Sequence, residues 1–143
     1  GASTNRAMVV TILYRLEGEP AAPPADFPDV AEEMYYHNAV AWANASGIVT
    51  GYGKLFRPND SITREQLAAM LYRYDSYKGF EALDAGDITQ FNDAENVSGW
   101  AVDAVKWAVG TKIMNGKDKG MLDPQGNATR AEVAAMIKRW LEH

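Results

Sequence analysis

The sequence predicts an all-α fold assembled from repeats. One amphipathic segment recurs along the chain, and the blocks between its copies recur in the same order. The stretch from Ile62 to Tyr74 returns as Ala128 to Trp140, 66 residues on. Each copy spaces its apolar residues as one helical stripe: Leu67, Met70, Leu71 and Tyr74 in one, Val133, Met136, Ile137 and Trp140 in the other. A third copy opens the chain after Asn5, with Val9, Ile12, Leu13 and Leu16 as the expected buried stripe.

The starts of these three helices are marked by their caps. Thr63 and Thr129 stand at N-cap positions with Gln66 and Glu132 three residues later, which predicts a capping box on each. Asn5 is a good N-cap, but Met8 cannot complete a box. After the first helix, the Pro-rich run Gly18 to Ala25 cannot continue a helix and reads as a stiff connector. It leads to Phe27-Pro28-Asp29-Val30, which recurs as Phe91-Asn92-Asp93-Ala94.

Next, Tyr35, Ala39, Val40, Trp42 and Ala43 match Trp100, Ala104, Val105, Trp107 and Ala108, each 65 positions apart, and predict a second pair of helices. Gly47 or a neighbour ends the first of that pair. In the second, Lys112 replaces this glycine, so Gly110 is expected to ease the helix end. Leu55-Phe56-Arg57-Pro58-Asn59 and Met121-Leu122-Asp123-Pro124-Gln125 then each form an apolar plug with a proline turn, delivering the chain to the next capped helix.

The expected organisation is one domain over 1–140. The second half of a first repeat occupies 4–16, complete repeats occupy 27–74 and 91–140, and 75–90 is a linker. The missing half-repeat is expected before Gly1, and its absence predicts an uncovered apolar face open to a domain-exchanged homodimer. Gly1-Ala2-Ser3 reads as a cloning scar and Leu141-Glu142-His143 as the remnant of an expression tag.

With 143 residues and 47% apolar content the chain can bury one ordinary core, and no apolar run is long enough to insert in a membrane. A net charge of -5 with no cluster of Lys and Arg argues against nucleic acid as a partner. With no cysteine there is no thiol nucleophile, disulfide or cysteine metal site. His37 is isolated, Glu32 and Glu33 diverge, and no His/Asp/Glu spacing suggests a metal or cofactor, so the chain is not expected to be an enzyme. The segment from Asn115 to Gly120 has the wrong acid spacing for a calcium loop and reads as a hairpin-like turn.

Three arginines stand where a helix does not want them. Arg6, Arg64 and Arg130 follow directly on the N-caps, where the positive end of the helix disfavours a cation by ~0.3–1 kcal/mol. Helix formation does not ask for them. Each guanidinium could clamp a carboxylate beside the N–H groups of the helix start, or could instead tie down a turn acid such as Asp29 or Asp93. On the first reading Arg64→Ala leaves folding almost untouched. Trp42, Trp107 and Trp140 are expected in the core, whereas Trp100 and its counterpart Tyr35 are candidates for stacking on a ligand. Gly51 and Gly116 either admit a ligand to the backbone or serve tight turns.

Taken in order, Phe27-Pro28-Asp29-Val30, Ala39-Val40-Ala41-Trp42-Ala43, Gly47-Ile48-Val49-Thr50-Gly51-Tyr52 and Ile62-Thr63-Arg64-Glu65 resemble the S-layer homology (SLH) domain over nearly all of Asn5 to Trp140. The resemblance implies a pseudo-threefold prism with a central three-helix bundle, outer helices and long loops. It implies noncovalent anchoring of an exported protein to the bacterial cell wall or cell surface, through anionic, pyruvylated secondary cell-wall polysaccharide. The arginine after the cap is a ligand contact in that family, a role carried here to Arg64, Arg130 and Arg6. With them, Trp100, Tyr35, Asp29, Asp93, Gly51 and Gly116 make up the candidate ligand-binding set, with no catalytic or metal residue. The alternative is a module that has lost glycan binding and serves self-association or protein interaction.

Overall fold

The computed structural model describes residues 2–51, 53–80 and 86–143. Gly1, Tyr52 of the glycine-rich motif and residues 81–85 between the repeats lie outside the described residues. The described residues form five α-helices and three short 3-10 turns, with isolated β-bridges but no strand. The helices are α1 (Arg6–Leu16), α2 (His37–Ala45), α3 (Arg64–Tyr77), α4 (Val102–Gly110) and α5 (Arg130–Glu142).

The expected caps form. Asn5 accepts from the Met8 N–H at 2.8 Å, and Thr63 with Gln66 and Thr129 with Glu132 make complete capping boxes. The stripes of α3 and α5 are buried in full. On α1, Val9 and Leu13 are buried but Leu16 is 43% exposed. Instead Val10 is buried one turn ahead of Tyr14, whose ring lies 5.8 Å from that of Trp42. Packing against α2 thus draws in a second side of α1, and Leu16 is left on the last turn, where the chain departs. α3 runs past Asp75 to Tyr77, so the connector starts later than the pattern suggests. Asp75 is buried and accepts from the Trp140 indole at 2.9 Å, an anchor that explains the extension.

The chain forms two compact units, Thr4–Ser61 and Ile62–His143 with Gly1–Ser3. In the first, α1 packs on α2; in the second, α3 packs on α4 and α5. α1 and α3 therefore each have as a partner the helix of the following repeat, whereas α5 packs on α3. The pairing is made by equivalent rings, Tyr14 with Trp42 and Tyr72 with Trp107, the latter at 5.3 Å. Trp42, Trp107 and Trp140 are all buried.

The ends of α2 and α4 share one geometry. Ile48 N–H donates to Ala43 O and Ile113 N–H to Ala108 O, both at 2.9 Å, closing Schellman motifs. Gly47 supplies the left-handed residue of the first, at φ 76°. In the second it is Lys112 itself, at φ 64°, and not Gly110, which is still helical. Gly110 has a different use: a Cβ on the facing Gly86 would lie 2.8 Å from the Gly110 Cα, so this is a close approach of two backbones.

Candidate functional site

The residues around each buried arginine are built from one template. In the second unit, Asp93 is buried and its two carboxylate oxygens accept from the N–H groups of Leu122 and Asp123, at 2.7 and 2.8 Å. In the first, Asp29 accepts in the same way from Phe56 and Arg57, at 2.9 and 2.7 Å. Each pair of successive N–H groups faces one carboxylate, and the second residue of each pair is left-handed, with φ 62° at Arg57 and 52° at Asp123. Such a backbone nest binds anions, and here each is filled by an internal carboxylate. Asp29 and Asp93 therefore hold the plugs down, and neither is the arginine partner that the sequence suggested.

Gly51 and Gly116 complete the template from below. A Cβ on Gly51 would lie 2.8 Å from the Phe27 ring, and one on Gly116 would lie 2.5 Å from the Phe91 ring. The Phe of each Phe-x-Asp block packs on the glycine that opens the following turn. The segment after Gly116 turns back on itself as expected, with Lys117 bridged to Met121.

The plug carbonyls explain why a cation is tolerated at these helix starts. Arg64 N–H donates to Gly126 O and Glu65 N–H to Pro124 O, both at 2.9 Å, while Gln66 N–H donates to the cap hydroxyl of Thr63. The equivalent bonds from Arg6 and Ala7 run to Asp60 O and Pro58 O, each 3.0 Å. These N–H groups are occupied and leave no open helix-end anion site. The guanidinium folds onto the same carbonyl-rich turn: Arg64 Nε donates to Leu122 O at 2.7 Å, and Arg6 Nε to Phe56 O at 3.1 Å. Arg6 also lies over the Phe56 ring, 4.8 Å from its centroid.

Arg64 is only 4% exposed, and its two outer nitrogens are engaged as well. Nη2 donates to Asn115 O at 2.8 Å, and Nη1 is paired with the carboxylate of Glu132. Burial pushes the Glu132 pKa up, but the Thr129 backbone N–H and the charge and hydrogen bond of Arg64 outweigh it, so the net shift is downward. Glu132 is thus held ionised, which makes it a poor proton donor for general acid chemistry.

In front of this pair lies an open groove of about 520 Å³, lined among others by Asn115, Lys117, Glu132, Met136 and Arg139. That volume suits a small ligand or one or two units of a polymer. Lys117 is paired with Asp123 at 2.8 Å, and Arg139 donates to Ile113 O at 3.2 Å. The groove thus brings Arg64, Lys117 and Arg139 together with the carboxylates of Glu132 and Asp118. Among the described residues no group of His, Cys, Asp and Glu is placed to share a metal ion.

Of the candidate residues, Arg64 and Gly116 line this groove, and Asp93 supports it from behind. Arg130 is exposed, and its backbone N–H donates to Ala2 O at 3.0 Å. Tyr35 is 64% exposed and packs edge-on against Tyr36. Trp100, 56% exposed, follows Ser98, whose N–H and hydroxyl donate to the buried Glu65 at 2.9 and 2.7 Å. The start of α3 therefore fixes both the groove arginine and the turn that displays Trp100. The roles of Glu65 and Glu132 and the groove cations Lys117 and Arg139 were not read from the sequence. Glu132 carried a signal only for its capping box.

The S-layer homology domain family model matches this chain over residues 26–68 and 90–134. The chain is 38% identical over 97% of its length to an exoglucanase XynX of Acetivibrio thermocellus, of which it spans 13%. It is equally 38% identical over 97% of its length to an amylopullulanase of Thermoanaerobacterium thermosulfurigenes, of which it spans 8%. A surface-layer 125 kDa protein of Lysinibacillus sphaericus is 29% identical over 97% of this chain, which spans 12% of that protein.

Proposed function

The chain belongs to the S-layer homology domain family, and from that premise we propose that it anchors an exported bacterial protein noncovalently to the cell wall by binding an anionic, pyruvylated secondary cell-wall polysaccharide. Its place is the cell surface, and its partner is the wall polymer. The observation that carries the reading is the groove before Arg64. There a buried guanidinium, Lys117 and Arg139 are gathered beside the carboxylates of Glu132 and Asp118, on a chain of net charge -5. Arginine suits this role because its planar fork matches a carboxylate such as that of a pyruvate ketal. The same three cations with an ionised Glu132 suit binding better than hydrolysis, so the module itself is read as non-enzymatic. The catalytic names of two relatives belong to proteins of which this chain spans 13% and 8%.

The test is co-sedimentation of the purified chain with bacterial cell walls, before and after chemical removal of their secondary polymers. Retention is expected on intact walls and lost on stripped ones. Equal retention on both would overturn glycan anchoring and favour protein association. Arg64→Lys should weaken retention roughly 10-fold, because an ammonium cannot reproduce the two-donor fork.

A further inference from the structure

Arg64 cannot meet a ligand as it stands. It is buried, and each of its three nitrogens has a partner. Two of those partners, Leu122 O and Asn115 O, are backbone atoms fixed by the Asp93 clamp and the Lys117 turn. The third, Glu132, is a side chain that lines the open groove and is itself 24% exposed. Only Glu132 can leave Arg64 without unfolding the turn. We propose that Glu132 is an internal competitor. Its carboxylate occupies the position on Arg64 Nη1 that the ligand's carboxylate takes, and it must swing into solvent before an acidic sugar binds. The proposal rests on the glycan reading above and adds to it the element that sets affinity and screens ligands. A neutral sugar cannot replace the charge that Arg64 would lose, so it does not open the pair, whereas a carboxylate exchanges like for like.

The chain contains its own control for removing the charge. At the equivalent box position of α3 stands Gln66, a neutral residue that accepts from the Thr63 N–H at 2.9 Å, just as Glu132 accepts from Thr129 at 3.2 Å. Glu132→Gln therefore keeps the start of α5 while removing the competing charge, and Glu132→Ala removes the side chain altogether as a second variant.

The experiment is calorimetric titration with a methyl glycoside bearing a 4,6-pyruvate ketal, and with its neutral methyl ester. Glu132→Gln and Glu132→Ala are expected to bind the acid at least fivefold more tightly than the wild type. The ester should show no such gain, and adding Arg64→Lys to Glu132→Gln should abolish it. Unchanged or weaker binding of the acid by both variants, with the wild type still binding it, would overturn the competitor and leave the glycan reading standing. Failure of the wild type and both variants to bind the acid would overturn the glycan reading and the competitor with it.

Discussion

The sockets around Arg6 and Arg64 share a scaffold and differ in how they finish. In both, a turn aspartate clamps the plug, a phenylalanine packs on a glycine, and Nε reaches the plug carbonyl. At Arg6 the plug residue is Phe56, whose ring lies beneath the guanidinium. At Arg64 the plug is Leu122, which offers no such face, and the outer nitrogens meet Asn115 O and the groove carboxylate Glu132. The scaffold is therefore set by clamp and turn, while the chemistry presented outward depends on one or two side chains around it. The start of α5 extends the contrast, because Arg130 is exposed.

The largest effect is expected at the clamps. Asp93→Ala should destabilise by roughly 3 kcal/mol, since it leaves two inward N–H groups without their charged acceptor. Asp29→Ala should cost roughly 2 kcal/mol, because the Arg57 N–H it releases is exposed and can turn to water. Urea denaturation of both variants measures the difference. Equal costs would show that burial of the clamp is not what separates the sockets.

The arginines come next. Contrary to the expectation from helix electrostatics alone, Arg64→Ala should destabilise by about 2 kcal/mol, because Leu122 O, Asn115 O and the Glu132 carboxylate all lose their donor. Arg130→Ala should lie within about 0.5 kcal/mol of wild type, as for an exposed side chain. Thermal unfolding of the pair checks this, and a large loss at Arg130 would break the contrast between buried and exposed arginines.

The smallest effect is on pH dependence. The Glu132 pKa lies below its ordinary 4.5 in the folded chain, so its contribution is present above that value and is lost as pH falls through the folded pKa. Below about pH 4.5 the wild type should lose stability more steeply than Glu132→Gln. Parallel melting curves from pH 6 downward, taken in steps of about half a unit, would show it. Superimposable profiles would mean that Arg64 draws nothing from the charge of Glu132.

What the sequence determined by itself is what short-range physics controls. Helix periodicity, N-caps and capping boxes act within about four residues. The all-α class, the starts of α1, α3 and α5, and the buried stripes of α3 and α5 were therefore legible from Thr63, Thr129 and the apolar spacing. The three core tryptophans and the family resemblance were legible because repetition doubled each signal. Tertiary structure alone decided the partners. Arg64 reaches Leu122, 58 residues away, and Glu132, 68 away, and the first of these contacts is to a backbone carbonyl that any residue would supply. Side-chain identity leaves no trace of such a bond. It also leaves none of Lys112 adopting the left-handed conformation in place of a glycine, or of Leu16 left exposed when Tyr14 packs against Trp42. Local rules give each helix its beginning and its apolar face; what that face and its first residue touch is fixed only when distant turns fold back on them.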